Sequence, residues 1–156
     1  MALISNIVID LAAATAVLTC TDGGSSVDVL TYANSNQQVT FSSRPTLTIP
    51  AVDFINFANQ IQIFQTAILF NFHANVGAIL PFSQMDVSES HPSGAWNLLI
   101  TQTPGTDVCN YSATLSGSTV AMKNRPLAKT LDFPEWMVYL NGITHYAYSV
   151  KNYFNL

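Results

Sequence analysis

Period-two alternation of apolar and polar residues, rich in β-branched side chains and punctuated by turn signals, most constrains what this chain can fold into. Residues 3–11 carry Ile7 and Ile9 on one side, and residues 14–21 set Ala14, Ala16 and Leu18 against Thr15, Val17 and Thr19. Asp22-Gly23-Gly24-Ser25-Ser26 follows as a turn, since glycine supplies the positive φ such a connection needs, and alternation resumes over 27–32. Further strands are expected at 38–42, 46–49, 97–102, 108–115 and 119–123, separated by Thr103-Pro104-Gly105-Thr106 and Ser116-Gly117-Ser118. Short strands at hairpin spacing predict a mainly β, antiparallel sandwich or jelly-roll-like domain. The 156 residues suit one such domain, 1–156, with 153–156 as a C-terminal arm.

One segment has another period. Apolar residues at Phe54, Phe57, Ala58, Ile61, Phe64 and Ile68 recur at spacings of three and four, which places them along one helical stripe. Pro50 suits a first helical turn and Asp53 the positive end of the helix dipole, so one amphipathic helix is expected over about 50–64. Beyond it, Ile68, Phe70 and Phe72 alternate with Leu69, Asn71 and His73, which reads as a strand over 66–74.

Near the C-terminus, Asn141-Gly142 stands between two apolar-rich runs, 136–140 and 143–148. Asn-Gly is the strongest short-range hairpin signal, because both residues of the tight turn take φ > 0. A two-residue loop would pair Leu140 with Ile143, Val138 with His145 and Trp136 with Ala147. The opposite face would carry Met137, Tyr139, Tyr146 and Tyr148. That aromatic face, with Tyr153 and Phe154 of the terminal arm, is the expected interface or ligand-binding surface.

Composition bears on function. Charged residues make up 9% of the chain against 49% hydrophobic, and polarity is carried instead by 14 Ser, 15 Thr, 13 Asn and 7 Gln. Disorder is thereby disfavoured, and charge repulsion between copies is weak. The net charge is −4, and residues 1–122 hold one basic side chain, Arg44, against seven acids. Only Lys123, Arg125 and Lys129 cluster, too few to track a phosphate backbone, so nucleic acid is not an expected partner. The apolar run 11–18 lacks a basic flank and adjoins Asp10, which argues against an export signal; no stretch reaches the ~18 apolar residues of a membrane span. Cytoplasmic synthesis without a signal peptide is the expectation, with no membrane partner.

No motif names a reaction. G-x-S-x-G, HExxH, a Walker loop and GxGxxG are all missing. Glu89-Ser90-His91 is the nearest polar reactive cluster, within Ser88 to Gly94, which reads as an exposed loop; His145 is expected beside Val138 and Trp136. Cys20 and Cys109 lie in separate strand-like runs without CxxC spacing, so buried thiols are expected and neither metal nor cofactor. Asp22 and Asp28 lack the ligand series of a calcium loop.

These traits together predict a non-enzymatic structural subunit of a larger assembly, such as a capsid, decoration or tail protein of a virion. Its partners would be copies of itself or other subunits. The alternative is a carbohydrate-binding, lectin-like module, in which Tyr139, Tyr146, Tyr148 or Trp96 would stack on a glycan.

Overall fold

The computed structural model describes residues 4–22, 25–43, 47–72, 85–92, 95–102, 106–114, 119–123 and 129–154. Strands β1 (Ile4–Asp10), β2 (Thr15–Asp22), β3 (Ser25–Ala33), β4 (Gln38–Ser43) and β5 (Leu47–Pro50) lead into helix α1 (Ala51–Phe72). The same order then repeats, with β6 (Met85–Ser90), β7 (Ala95–Gln102), β8 (Thr106–Thr114), β9 (Thr119–Lys123), β10 (Lys129–Asp132) and helix α2 (Phe133–Phe154). The chain is β-rich, in two antiparallel five-stranded sheets, as alternation predicts.

Each sheet is a four-stranded meander completed by a strand from the other half of the chain. The first runs β1-β2-β3-β4-β10 and the second β5-β9-β8-β7-β6. Thus β10 pairs with β4, placing Leu131 opposite Val39, and β5 pairs with β9, placing Ile49 opposite Val120.

The duplication reaches single side chains. Every buried residue of α1 except Asp53 has a buried counterpart 82 positions on in α2, from Ala51 and Phe133 to Ile68 and Val150. Asp53 itself corresponds to Glu135, an acid in the first turn of each helix, where the helix dipole favours negative charge. The helices pack antiparallel. Phe54 meets Tyr146 edge-on at 5.5 Å between ring centroids, and the equivalent pair, Phe64 and Trp136, meets at 6.0 Å.

The helix pair also touches both sheets. Tyr32 and Phe41 of the first sheet contact Phe133 and Trp136 of α2, while Tyr111 of the second contacts Phe54 of α1. Alternate residues of the strands supply the rest of the core: Ala16, Leu18, Leu30 and Val39 from the first sheet, and Leu98, Ile100, Ala113, Val120 and Met122 from the second. Cys20 and Cys109 are buried thiols in different sheets.

Two local expectations are corrected. The strand over 66–74 is helical through Phe72, and residues 73 and 74 lie outside the described set. The alternation of Ile68, Phe70 and Phe72 is better satisfied by a helix, which buries Ile68 completely while leaving Phe70 80% exposed. The helix therefore runs well past the expected boundary near residue 64.

The Asn141-Gly142 hairpin is also corrected, because both residues lie within α2. Asp132-Phe133-Pro134-Glu135 forms the start of that helix. Glu135 Oε1 accepts the Asp132 backbone N–H at 3.0 Å, one half of a capping box, and proline is tolerated in a first turn that lacks internal partners for its N–H groups. Beyond it, Trp136, Tyr139, Leu140, Ile143, Tyr146, Ala147 and Val150 are all buried at helical spacing. Gly142 serves close packing: a Cβ there would lie 3.1 Å from Ile100 Cδ1 and 3.3 Å from Val87 Cγ1.

Helix and hairpin make opposite predictions at Asn141. Asn141 is exposed in α2, so Asn141→Ala raises the unfolding free energy by about 0.5 kcal/mol through helix propensity. Gly142→Leu lowers it by about 1–3 kcal/mol through overpacking against the second sheet. Urea denaturation checks both, and a marked loss of stability in Asn141→Ala would restore the hairpin.

Candidate functional site

The helix separates side chains that a hairpin would have brought to one face. Tyr139 and Tyr146 are 3% and 0% exposed and belong to the core, whereas Tyr148 is 66% exposed. Met137 is partly buried, its sulfur accepting a hydrogen bond of 3.0 Å from Gln65 Nε2. The buried Gln65 also accepts the Trp136 indole N–H at Oε1, so one amide satisfies polar atoms at the helix contact. The backbone of Tyr153 and Phe154 ends α2 and is not an extended arm; residues 155 and 156 lie outside the described set. The shared aromatic face of Met137, Tyr139, Tyr146 and Tyr148 is thus corrected, leaving Tyr148 at the surface.

Tyr148 borders a groove of about 100 Å³ between α1 and α2, shared with Ile55, Ala58, Asn59, Gln62, Thr144, Ala147 and Lys151. Gln62 Nε2 donates to Thr144 Oγ1 at 2.9 Å across it. The groove continues along α1 into a second concavity lined by Ile63, Thr66, Ala67, Phe70 and Asn71. Val52 and Ile63 are each 52% exposed and Phe70 80%. Only Lys151 among these lining residues is charged.

A second cluster joins His145 to Glu89 and His91 of the polar cluster singled out in the sequence. Glu89 Oε1 lies 2.7 Å from His145 Nδ1, and Glu89 Oε2 lies 3.8 Å from His91 Nε2. Ser149 Oγ lies 3.4 Å from Glu89 Oε2 and 3.2 Å from the His145 carbonyl, two acceptors for its one proton. Glu89 and Ser90 belong to β6, not to the exposed loop expected over 88–94, and His145 lies on the exposed side of α2, sharing a concavity with Val138 one helical stripe away from the buried Trp136, and not in a sheet. The carboxylate stands between two imidazoles, and the serine hydroxyl is within reach of the carboxylate and of the His145 carbonyl. Nucleophile activation needs the imidazole between hydroxyl and acid, so this geometry ties β6 to α2 and is not a triad. Among the described residues no group of three His, Cys, Asp or Glu is placed to hold a metal ion.

The buried tyrosines set an alkaline limit on the fold. Burial pushes the Tyr146 hydroxyl well above its ordinary range, against the opposing effect of the Ala113 backbone N–H donating to its oxygen. Burial likewise raises Tyr111, with Tyr139 next to it adding to the effect, and raises Tyr32. A folded-state pKa above the unfolded one means that the neutral form is favoured by folding. That contribution is intact below the unfolded value of about 10 and is lost as pH rises through the higher folded values. Unfolding free energy should therefore fall above about pH 10, with the buried tyrosines ionising only as circular dichroism reports unfolding. Titration of all six tyrosines together near pH 10, with the fold intact, would contradict this.

Comparison of the chain with protein-family models, with curated proteins and with solved structures returns no match.

Proposed function

We propose that this chain is a non-enzymatic structural subunit that works by self-association within a larger assembly. The observation that carries the reading is where its exposed large apolar side chains lie. Val52, Ile63 and Phe70 occupy the outer side of α1, with Tyr148 across the groove; Ile4 and Val8 lie on β1, Leu11 just beyond it, and Val87 on β6. Around them charge is sparse: the one charged residue of α1, Asp53, is buried, and the exposed charges beside these side chains are Lys151 in the groove and Asp10 next to Leu11. Apolar side chains grouped on a surface with few charges favour contact with another protein surface, and weak charge repulsion lets copies approach.

Within this reading we place the chain among virion components, a capsid, decoration or tail protein. Low charge, a neutral polar surface and β-rich architecture support that narrower assignment. In fold terms we read the sheets as outer layers of a sandwich filled by the helix pair, supported by the contacts of each helix with both sheets. Two meanders, each completed by an exchanged strand, fit that reading better than a jelly roll.

The carbohydrate reading keeps one observation in its favour. Tyr148 offers an exposed ring beside the Asn59 and Gln62 amides and the Thr144 hydroxyl, the pairing of an aromatic surface with hydrogen-bonding groups that can engage a sugar ring and its oxygens. It would use Tyr148 without Tyr139 or Tyr146.

Light scattering separates the two. A structural subunit should show a mass above 16.9 kDa that rises with concentration into the tens of micromolar, whereas a single-chain mass throughout overturns self-association. A sugar-binding module should score on a glycan array and lose at least about tenfold in affinity in Tyr148→Ala, the scale of one lost aromatic contact. An array without hits removes that alternative.

A further inference from the structure

The internal duplication supplies a comparison between two edge strands in equivalent positions. Among the described residues, β1 is an edge of the first sheet, hydrogen-bonded to β2 alone, and β6 is the corresponding edge of the second, paired with β7 alone. Edge strands invite pairing with other chains unless charge, proline, bulging or cover prevents it. β6 carries Asp86 and Glu89, and α2 reaches it through the Glu89–His145 contact and the close approach of Gly142 to Val87, which stays 43% exposed. β1 reads Ile-Ser-Asn-Ile-Val-Ile-Asp, has no charge before its last residue, and pairs with β2 in unbroken register from Ile4 to Asp10. Ile4 is 66% exposed and Val8 53%.

We infer that β1 is a strand-addition edge and that its occupant is the β1 of a second copy, running antiparallel to make one continuous ten-stranded sheet. This names the contact for the self-association proposed above and rests on that reading. Antiparallel pairing centred on Ile7 uses all seven residues of the strand. It sets Ile4 opposite Asp10, Ser5 opposite Ile9 and Asn6 opposite Val8 of the other copy. Residues of like exposure then meet, because Ile4, Asn6, Val8 and Asp10 form the exposed row and Ser5, Ile7 and Ile9 the half-buried one. The two Asp10 carboxylates fall at opposite ends of the contact, about 20 Å apart at the rise of a strand, which exceeds the Debye length at physiological salt. The two-fold arrangement is therefore self-complementary in both exposure and charge.

Three single variants test it by light scattering and sedimentation on the full chain. Val8→Lys and Ile4→Lys each place a cation on the exposed row, where the core is not disturbed. Ser88→Lys makes the same change in charge on the equivalent edge, at a residue that is also exposed. Both β1 variants should raise the dissociation constant of the wild-type dimer at least tenfold and keep its circular dichroism, while Ser88→Lys should leave the constant unchanged. If the wild type associates and both β1 variants associate equally well, the strand contact is wrong and self-association stands through another surface. Equal weakening by Ser88→Lys also overturns it, by showing a general charge effect. A wild type that stays a single chain overturns both this inference and the reading beneath it.

Discussion

The antiparallel contact between α1 and α2 is the interaction on which the rest of the structure depends. Each helix follows a strand that belongs to the opposite sheet, so holding the helices together also fixes where β5 and β10 can pair. The contact is made of large rings in equivalent pairs, Phe54 with Tyr146 and Phe64 with Trp136. Gln65 sits among them as a buried polar group whose amide is satisfied from α2 by Trp136 and Met137. Burying these rings is favourable in any direction of approach, but an amide with two fixed partners is satisfied in one alignment. Apolar area supplies most of the driving force, while Gln65 selects the register of the helices.

The strands were largely legible because one face of each sheet meets the helices and the other does not. That asymmetry produces the alternation of Ala16, Leu18 and Cys20 with Val17 and Thr19, and of Leu98 and Ile100 with Leu99. β6 and β10 were hidden for a physical reason. Both are short and polar edge strands, so Met85–Ser90 and Lys129–Asp132 resemble loops in composition. α2 was hidden by competition between signals. Asn-Gly is decisive only where the chain must reverse, and the helix beginning at Asp132 and Glu135 already satisfied its backbone groups across that point. The capping sequence Asp132-Phe133-Pro134-Glu135 and the stripe from Phe133 to Val150 carried the correct information.

The candidate site was less legible than the fold because exposure depends on where a helix turns. Tyr146 and Tyr148 are two residues apart, which puts them on one side of a strand but well apart around a helix. The same geometry brings His145 and Ser149, four residues apart, to one carboxylate from β6. The duplication was likewise faint along the chain, since equivalent positions keep burial and bulk more than identity: Phe54 corresponds to Trp136 and Ala58 to Leu140. Divergence between the halves then gave equivalent edges different chemistry, two acids and partial cover by α2 at β6, and a single acid at the end of the strand at β1.

The exchange of strands also orders events during synthesis. The ribosome releases β1 to β4 early, but the partner that closes the open side of β4 is Lys129–Asp132, more than eighty residues later. Until then the nascent first sheet has two unpaired edges and a core face without α2. Both edges and face are available to neighbouring nascent chains during that interval. Copies emerging close together could complete one another's sheets through β10, giving intertwined chains with native contacts. The speed with which the second half follows the first therefore governs how much of the product is a correctly closed single chain.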